Sequence, residues 1–117
     1  MKSVVTGGAG FIGSHIASAL LARGDKVVII DDLSTGSINN IPPGVTFIEA
    51  SILDQDALGK ALFNARNVFH CAAKISVPES ILDPFTYLNI NSVGTLRVLE
   101  ACRQLKVPNM VFSSSLS

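Results

Sequence analysis

The sequence predicts an α/β fold, a doubly wound, Rossmann-like parallel sheet of about five strands. Three observations indicate this fold. Short apolar runs alternate along the chain with amphipathic segments, the apolar runs are β-branched without polar alternation, and a glycine cluster follows the first run. Runs of that kind are typical of strands buried on both faces of a parallel sheet. Alternating strands and helices favour helices on both sides of such a sheet.

The elements can be placed in order along the chain. Strands are predicted at 3–6, 27–30, 45–49, 68–71 and 110–112, and helices at 11–23, 54–65 and 83–106. Gly24 ends the first helix, and Asp83-Pro84 is a typical helix start. Because crossovers between parallel strands are right-handed, we expect the strand order 3-2-1-4-5.

The composition favours one small domain and excludes several functions. The chain has 117 residues, 48% of them apolar, with nine basic and nine acidic residues. Because the charges balance, the chain has no net positive charge that would attract nucleic acid or an anionic membrane. No apolar run approaches the ~20 residues that span a bilayer. Glycines 7, 8 and 10 interrupt any signal-peptide core, so we expect a cytoplasmic protein.

The two cysteines indicate neither a metal site nor a redox motif. Cys71 and Cys102 have no CxxC neighbour, and no cluster of metal ligands accompanies them. We interpret both as small buried apolar side chains. His15 and His70 have no partner at motif spacing, and we assign them structural roles.

The strongest functional signal is the glycine loop between the first strand and the first helix. It satisfies both Gly7-x-x-Gly10-x-x-Gly13 and Gly8-x-Gly10-x-x-Gly13. Such glycines permit a tight turn, close approach of a pyrophosphate and close packing of helix on sheet. The N–H groups of the first helical turn, at Phe11 and Ile12, would then point at the phosphates.

An acidic residue stands where a dinucleotide site needs one. Asp31 ends the second strand eighteen residues after Gly13, close to the about 20 expected for a ribose-binding carboxylate. A carboxylate there accepts hydrogen bonds from ribose hydroxyls and repels the extra phosphate of NADP. Asp32 adds a second negative charge, so the sequence predicts NAD rather than NADP. A tight turn and a turn-forming aspartate, without a ligand, are the alternative interpretation.

Further motifs extend this pattern through the rest of the chain. They are TGGAGFIGSH at 6–15, DDLSTG at 31–36, HCAA at 70–73, SVPES at 76–80, Asp83-Pro84, Asn91 with Gly94-Thr95, and FSSS at 112–115. In this order they resemble the extended short-chain dehydrogenases/reductases. More narrowly, the chain is similar to the nucleotide-sugar epimerases and dehydratases, especially the UDP-glucose 4-epimerase group.

The resemblance implies a role for each matching residue. Cofactor-binding roles fall on Gly7, Gly10, Phe11, Ile12, Gly13, Asp31, Asp32, Ser34, Thr35, Gly36, Ser51, Ile52, Ala72, Ala73 and Asn91. The glycines with Phe11 and Ile12 would hold the pyrophosphate, residues 31–36 and 51–52 would line the adenosine end, and Ala72 and Ala73 would pass under the cofactor. Ser115 matches the family's catalytic serine. Ser51 and Asp32 depart from the family pattern, which usually has Asp and Asn there.

The family's catalytic pair is missing from this chain. In the family, a Tyr-x-x-x-Lys motif takes the sugar hydroxyl proton during hydride transfer to NAD. Here the one tyrosine, Tyr87, is followed four residues later by Asn91. We therefore expect the front, NAD-binding part of a sugar-nucleotide enzyme, inactive alone, with the nucleotide-sugar bound only in a longer form. The alternatives are a non-catalytic module, or part of a 4,6-dehydratase or decarboxylase. Apolar residues on two sides of the 83–106 helix predict self-association or a homodimer.

Overall fold

The computed structural model describes residues 1–34, 36–72, 85 and 89–112. Five parallel strands form one sheet in the order β3-β2-β1-β4-β5, which confirms the predicted fold class and strand order. The strands are Lys2–Thr6 (β1), Lys26–Asp31 (β2), Thr46–Glu49 (β3), Asn67–His70 (β4) and Asn109–Phe112 (β5). The helices are Phe11–Ala22 (α1), Gln55–Leu62 (α2) and Gly94–Gln104 (α3), with a short 3₁₀ helix at Ile38–Asn40 and a π-helical turn at Asn89–Val93.

The core has two halves because successive residues of a strand point to opposite faces of the sheet. Val4 lies in the half between the sheet and helices α2 and α3, where Leu62 and Val98 pack. Its neighbour Val5 lies in the other half, against Ala17 of α1. Both valines are fully buried, as expected for the central strand of a sheet covered on both faces.

Two predicted helices differ from the structure. Helix α2 ends at Leu62 rather than near residue 65, because Phe63 is extended and Asn64 takes a left-handed conformation with φ of 61°. The predicted 83–106 helix is not one continuous α-helix over its described part. It passes through the π-helical turn before α3, where the Thr95 hydroxyl donates to the Asn91 carbonyl at 2.8 Å and so competes with the backbone ladder.

The sheet topology determines where a ligand can bind. The chain proceeds from β1 outward to β3 and then returns to the other side of β1 as β4. In open α/β sheets, ligands bind at such a switch point, in the crevice outside the carboxyl ends of the strands. Here that crevice lies beyond Thr6 of β1 and His70 of β4, which are paired in register.

Candidate functional site

The glycine loop leaves β1 in a tight turn. Gly7 has φ of +71°, a conformation that residues with a Cβ rarely adopt. Its N–H donates to the Ile30 carbonyl at 2.8 Å, and its carbonyl accepts from Gly10 N at 3.1 Å. A Cβ at Gly7 would lie 2.7 Å from the backbone of Cys71. Gly7 therefore lets the loop lie directly against the chain that leaves β4.

Gly13 and Gly10 are needed for different reasons. A Cβ at Gly13 would lie 2.3 Å from the Gly7 carbonyl oxygen, so the packing of α1 on the loop itself excludes any side chain. A Cβ at Gly10 would meet one atom, the same oxygen at 3.4 Å, an ordinary contact. The fold thus leaves room for a side chain at Gly10, and the space it would fill lies at the helix start.

The start of α1 has no side-chain cap. Its N-cap is Gly10, and its first turn contains no acidic residue. The backbone ladder begins with Ser14 N donating to Gly10 O at 2.9 Å, so the three N–H groups before Ser14 point out of the helix end. By contrast, the Asp54 side chain caps α2, accepting from Ala57 N at 3.2 Å. The start of α1 therefore presents uncapped N–H groups, a feature that anions bind at other helix ends, and the side chains of Phe11 and Ile12 are exposed beside it.

The carboxylate at the end of β2 reaches into the glycine loop. Asp31 Oδ2 accepts from Ala9 N at 2.9 Å, and Oδ1 accepts from Leu33 N at 2.7 Å. Leu33 has φ of 62°, and the bond from its N–H to Asp31 supports this left-handed turn. The exposed Asp32 accepts in the same way from Ser34 N at 2.9 Å. The two aspartates therefore stabilise the turn that follows β2, and they also give it negative charge.

The segment after β2 folds back onto the glycine loop. The Ala9 carbonyl accepts from Ser37 N at 3.1 Å and from Asn40 Nδ2 at 2.9 Å. A Cβ at Gly36 would lie 2.5 Å from that same oxygen, so Gly36 permits the approach. Sequence reasoning missed Asn40, because a contact over 31 residues has no local pattern.

Residues 51 and 52 follow β3 but differ in exposure. The half-buried Ser51 uses its hydroxyl to accept from Leu53 N at 3.1 Å. Ile52 is only 4% exposed and packs in the core with Leu58 and Val98. Little of the Ile52 side chain is therefore left to face an adenine ring.

A buried polar network joins the ends of β1 and β4, and sequence reasoning did not find it. The Thr6 hydroxyl oxygen accepts from Cys71 N at 3.0 Å and from Ala72 N at 3.2 Å, and it lies 2.7 Å from His70 Nδ1. His70 Nε2 lies 3.1 Å from the Thr95 hydroxyl. Burial lowers the pKa of His70 to about 4, so the imidazole is neutral at physiological pH.

Some predicted site residues lie outside the part of the chain that the structure describes. These are Thr35, Ala73 and Ser115. Asn91 lies in the π-helical turn, and its carbonyl accepts the Thr95 hydroxyl. The structure thus gathers three groups at one edge of the sheet: the glycine loop, residues 31–34 with Gly36, and the backbone of Cys71 and Ala72.

The part of the chain that the structure describes contains neither a metal-ligand cluster nor a membrane-spanning helix. Within residues 1–34, 36–72, 85 and 89–112, no group of three His, Cys, Asp or Glu side chains could hold a metal ion. In the same part of the chain, no helix has the length and apolarity needed to cross a membrane.

The family comparison agrees with this geometry. Residues 3–117 match the family described as the NAD dependent epimerase/dehydratase family. The chain belongs to this family. Its sequence is 43% identical over 121 residues to a UDP-glucose 4-epimerase of Mycolicibacterium smegmatis, with 98% of this chain and 39% of the relative covered.

Solved structures extend the likeness to the fold. The UDP-glucose 4-epimerase of Thermus thermophilus, crystallised in complex with NAD, superposes with a TM-score of 0.91 at 46% identity, over 97% of this chain and 37% of that one. The UDP-glucose 4-epimerase of Thermotoga maritima, crystallised with UDP-glucose, gives 0.93 at 38% identity, over 97% and 38%. The family member described here therefore spans well under half the length of these relatives.

Proposed function

We propose that the chain binds NAD at the glycine loop and is the NAD-binding portion of a nucleotide-sugar epimerase resembling UDP-glucose 4-epimerase. One observation carries the proposal: the Asp31 carboxylate is hydrogen-bonded to Ala9 N, within the loop that leads to the uncapped start of α1. An anion-binding helix end and a ribose-binding carboxylate at a sheet switch point together match a dinucleotide.

The residues present fit that cofactor in distinct roles. The open space at Gly10 and the N–H groups of Phe11 and Ile12 would receive the pyrophosphate. Asp31 would accept from the adenosine ribose, residues 32, 34–36 and 51 would line the same end, and the buried Ile52 would support that end from the core. As the resemblance implies, Ala72 and Ala73 would pass under the cofactor, and Asn91 would support the ends of β4 and β5. When bound, NAD supplies the hydride acceptor, while this chain binds and orients it.

The best test of the proposal is a pair of calorimetric titrations of the purified chain. We expect NAD to bind at least about tenfold more tightly than NADP, because a 2′-phosphate would bring negative charge beside Asp31 and Asp32. Repeating both titrations at higher salt should reduce the difference in affinity between NAD and NADP, since salt screens the repulsion between the 2′-phosphate and the carboxylates. Tighter binding of NADP, or no binding of either cofactor, would contradict the proposal.

The family includes dehydratases as well as epimerases. The reaction of the whole protein is therefore a second, more specific proposal. The epimerase is favoured because the relatives and solved structures compared above are UDP-glucose 4-epimerases. A 4,6-dehydratase, a decarboxylase or a non-catalytic NAD-binding module is the alternative. We further propose a cytoplasmic location, in keeping with the free thiols of Cys71 and Cys102.

The 117-residue chain should not interconvert UDP-glucose and UDP-galactose. Its one tyrosine, Tyr87, lacks a lysine four residues later, so the chain contains no Tyr-x-x-x-Lys base. A coupled assay with added NAD should give no rate above that of a Ser115→Ala variant, which removes the hydroxyl that the resemblance marks as catalytic. Clear turnover above that control would mean that another group takes the proton.

We also expect the chain to self-associate, in keeping with a homodimer through helix α3. Helix α3 buries Val98 on the core but exposes 64% of Leu96 and 37% of Leu99, and β5 exposes Met110 and Val111. Sedimentation velocity should show a mass that rises with protein concentration.

Two variants locate the interface. Leu96→Glu should weaken the association, because it places a charge in the apolar patch. Phe63→Glu, at a 61% exposed residue on a different element, should leave association unchanged. A concentration-independent monomer, or equal loss in both variants, would contradict an interface on α3.

A further inference from the structure

The hydrogen bonds around His70 define which ring nitrogen carries the proton. The Thr6 hydroxyl oxygen already accepts two backbone N–H groups, from Cys71 and Ala72, so its own proton is free to donate to His70 Nδ1 at 2.7 Å. On the other side of the ring, the Thr95 hydroxyl donates to the Asn91 carbonyl at 2.8 Å and can only accept from His70 Nε2 at 3.1 Å. Both neighbours independently require Nδ1 as the acceptor and Nε2–H as the donor.

This network joins the three backbone segments that border the cofactor crevice. Thr6 immediately precedes the glycine loop, and Ala72 follows β4 at the point where Gly7 must lack a Cβ. Asn91 lies in the π-helical turn that leads into α3. π-Helical turns of this kind are frequent at functional sites. A shift of the ring would therefore move the wall opposite the glycine loop and the helix turn together.

We propose that His70 is a positioning residue of the dinucleotide site, a neutral imidazole that holds its proton on Nε2 and links Thr6 and Ala72 to the Asn91 turn. The ring is 5% exposed and stacks edge-on against Phe112, with centroids 5.2 Å apart, so its orientation is held by packing as well as by hydrogen bonds. His70 itself contacts no reacting group in this role. The inference rests on the proposed NAD site, because its functional effect is on NAD affinity.

The experiment uses Thr95, because replacing His70 could disrupt the core. Thr95→Val keeps the shape of the side chain and removes the hydroxyl that receives Nε2–H, whereas Thr95→Ser keeps the hydroxyl. We expect Thr95→Val to weaken NAD binding by about 3- to 10-fold, because the His70 Nε2–H and the Asn91 carbonyl both lose the hydroxyl that they bind. Thr95→Ser should restore affinity to within about twofold of the parent.

Ser3→Ala is the matched control for stability. Ser3 is a fully buried hydroxyl at the opposite end of β1, where it donates to Asp25 at 2.5 Å and accepts from Asn67 Nδ2 at 3.0 Å. Its loss should lower the melting temperature without changing NAD affinity. If Ser3→Ala and Thr95→Val weaken NAD binding equally for an equal loss of stability, the His70 network is merely structural and the proposal is overturned.

Nitrogen NMR of the parent chain tests the tautomer without any cofactor. Long-range ¹H–¹⁵N correlations should show a protonated Nε2 and an unprotonated Nδ1 on His70 at neutral pH. Thr95→Val should shift the resonances of His70 Nε2 and of the Ala72 amide, whereas Thr95→Ser should leave both resonances unchanged. A proton on Nδ1, or exchange between both forms, would overturn the inference. Because this readout needs no NAD, a failure of the chain to bind NAD would be distinguishable from a failure of the His70 assignment.

Discussion

Gly10→Val should abolish NAD binding while the chain keeps its fold. The backbone at Gly10 is extended, with φ of −80° and ψ of 173°, a conformation that valine adopts readily. A Cβ there meets only the Gly7 carbonyl oxygen at 3.4 Å, so the loop tolerates it. The added isopropyl group would instead fill the space over the N–H groups at the start of α1, where we place the pyrophosphate. We expect affinity to fall at least about 100-fold, which corresponds to about 3 kcal/mol.

Two measurements separate loss of binding from loss of folding. Calorimetric titration gives the NAD affinity, and thermal melting monitored by circular dichroism gives the stability. Gly59→Val is the matched control, because a Cβ at Gly59 of α2 meets no atom within 4 Å and lies away from the glycine loop. Gly13→Ala gives the opposite outcome: its Cβ would lie 2.3 Å from the Gly7 oxygen, so we expect a large loss of stability. Parent-like NAD affinity in Gly10→Val would contradict the assigned pyrophosphate position, and loss of its folded signal would mean that Gly10 is required for the fold.

The fold could be predicted because its signals are local. The β-branched run at 27–30, the glycine cluster and the Gly24 helix end each specify an element within a few neighbours along the chain. The rule that crossovers between parallel strands are right-handed then favours the strand order that is observed. The same local information placed Asp31 at the end of its strand, where the structure has it.

The polar contacts at the crevice could not be predicted, because they join residues far apart in sequence. Thr6 lies 64 residues before His70, and Thr95 lies 25 residues after it, yet both hydroxyls bind the same ring. No spacing rule connects two threonines and a histidine on three elements. The glycine motif, by contrast, predicted different roles for the glycine at the helix start and the glycine that packs the helix on the sheet. The packing agrees with that difference, because a Cβ at Gly10 meets one atom at 3.4 Å whereas a Cβ at Gly13 would lie 2.3 Å from the Gly7 oxygen.

The last large effect is expected for Asp31→Ala, which should weaken NAD binding roughly 10- to 100-fold, the range for losing hydrogen bonds to a charged group. Two losses combine in this variant. The carboxylate no longer accepts from ribose, and Ala9 N and Leu33 N lose the oxygens that they bind at 2.9 and 2.7 Å. The affinity for NADP should fall less than the affinity for NAD, because Asp31→Ala also removes the charge that repels the 2′-phosphate. The ratio of the two affinities, which favours NAD, should therefore become smaller.

Asp32→Asn separates charge from loop structure. Its amide oxygen can still accept from Ser34 N, as the carboxylate does at 2.9 Å, so the turn is retained while one negative charge is lost. We expect NAD affinity to stay within about twofold and NADP affinity to rise by a small factor that shrinks as salt is added. Titrations of both cofactors into both variants at two salt concentrations test this. If Asp31→Ala lowers NAD and NADP affinity by the same factor, the carboxylate acts through the loop alone, and the preference for NAD must come from another group.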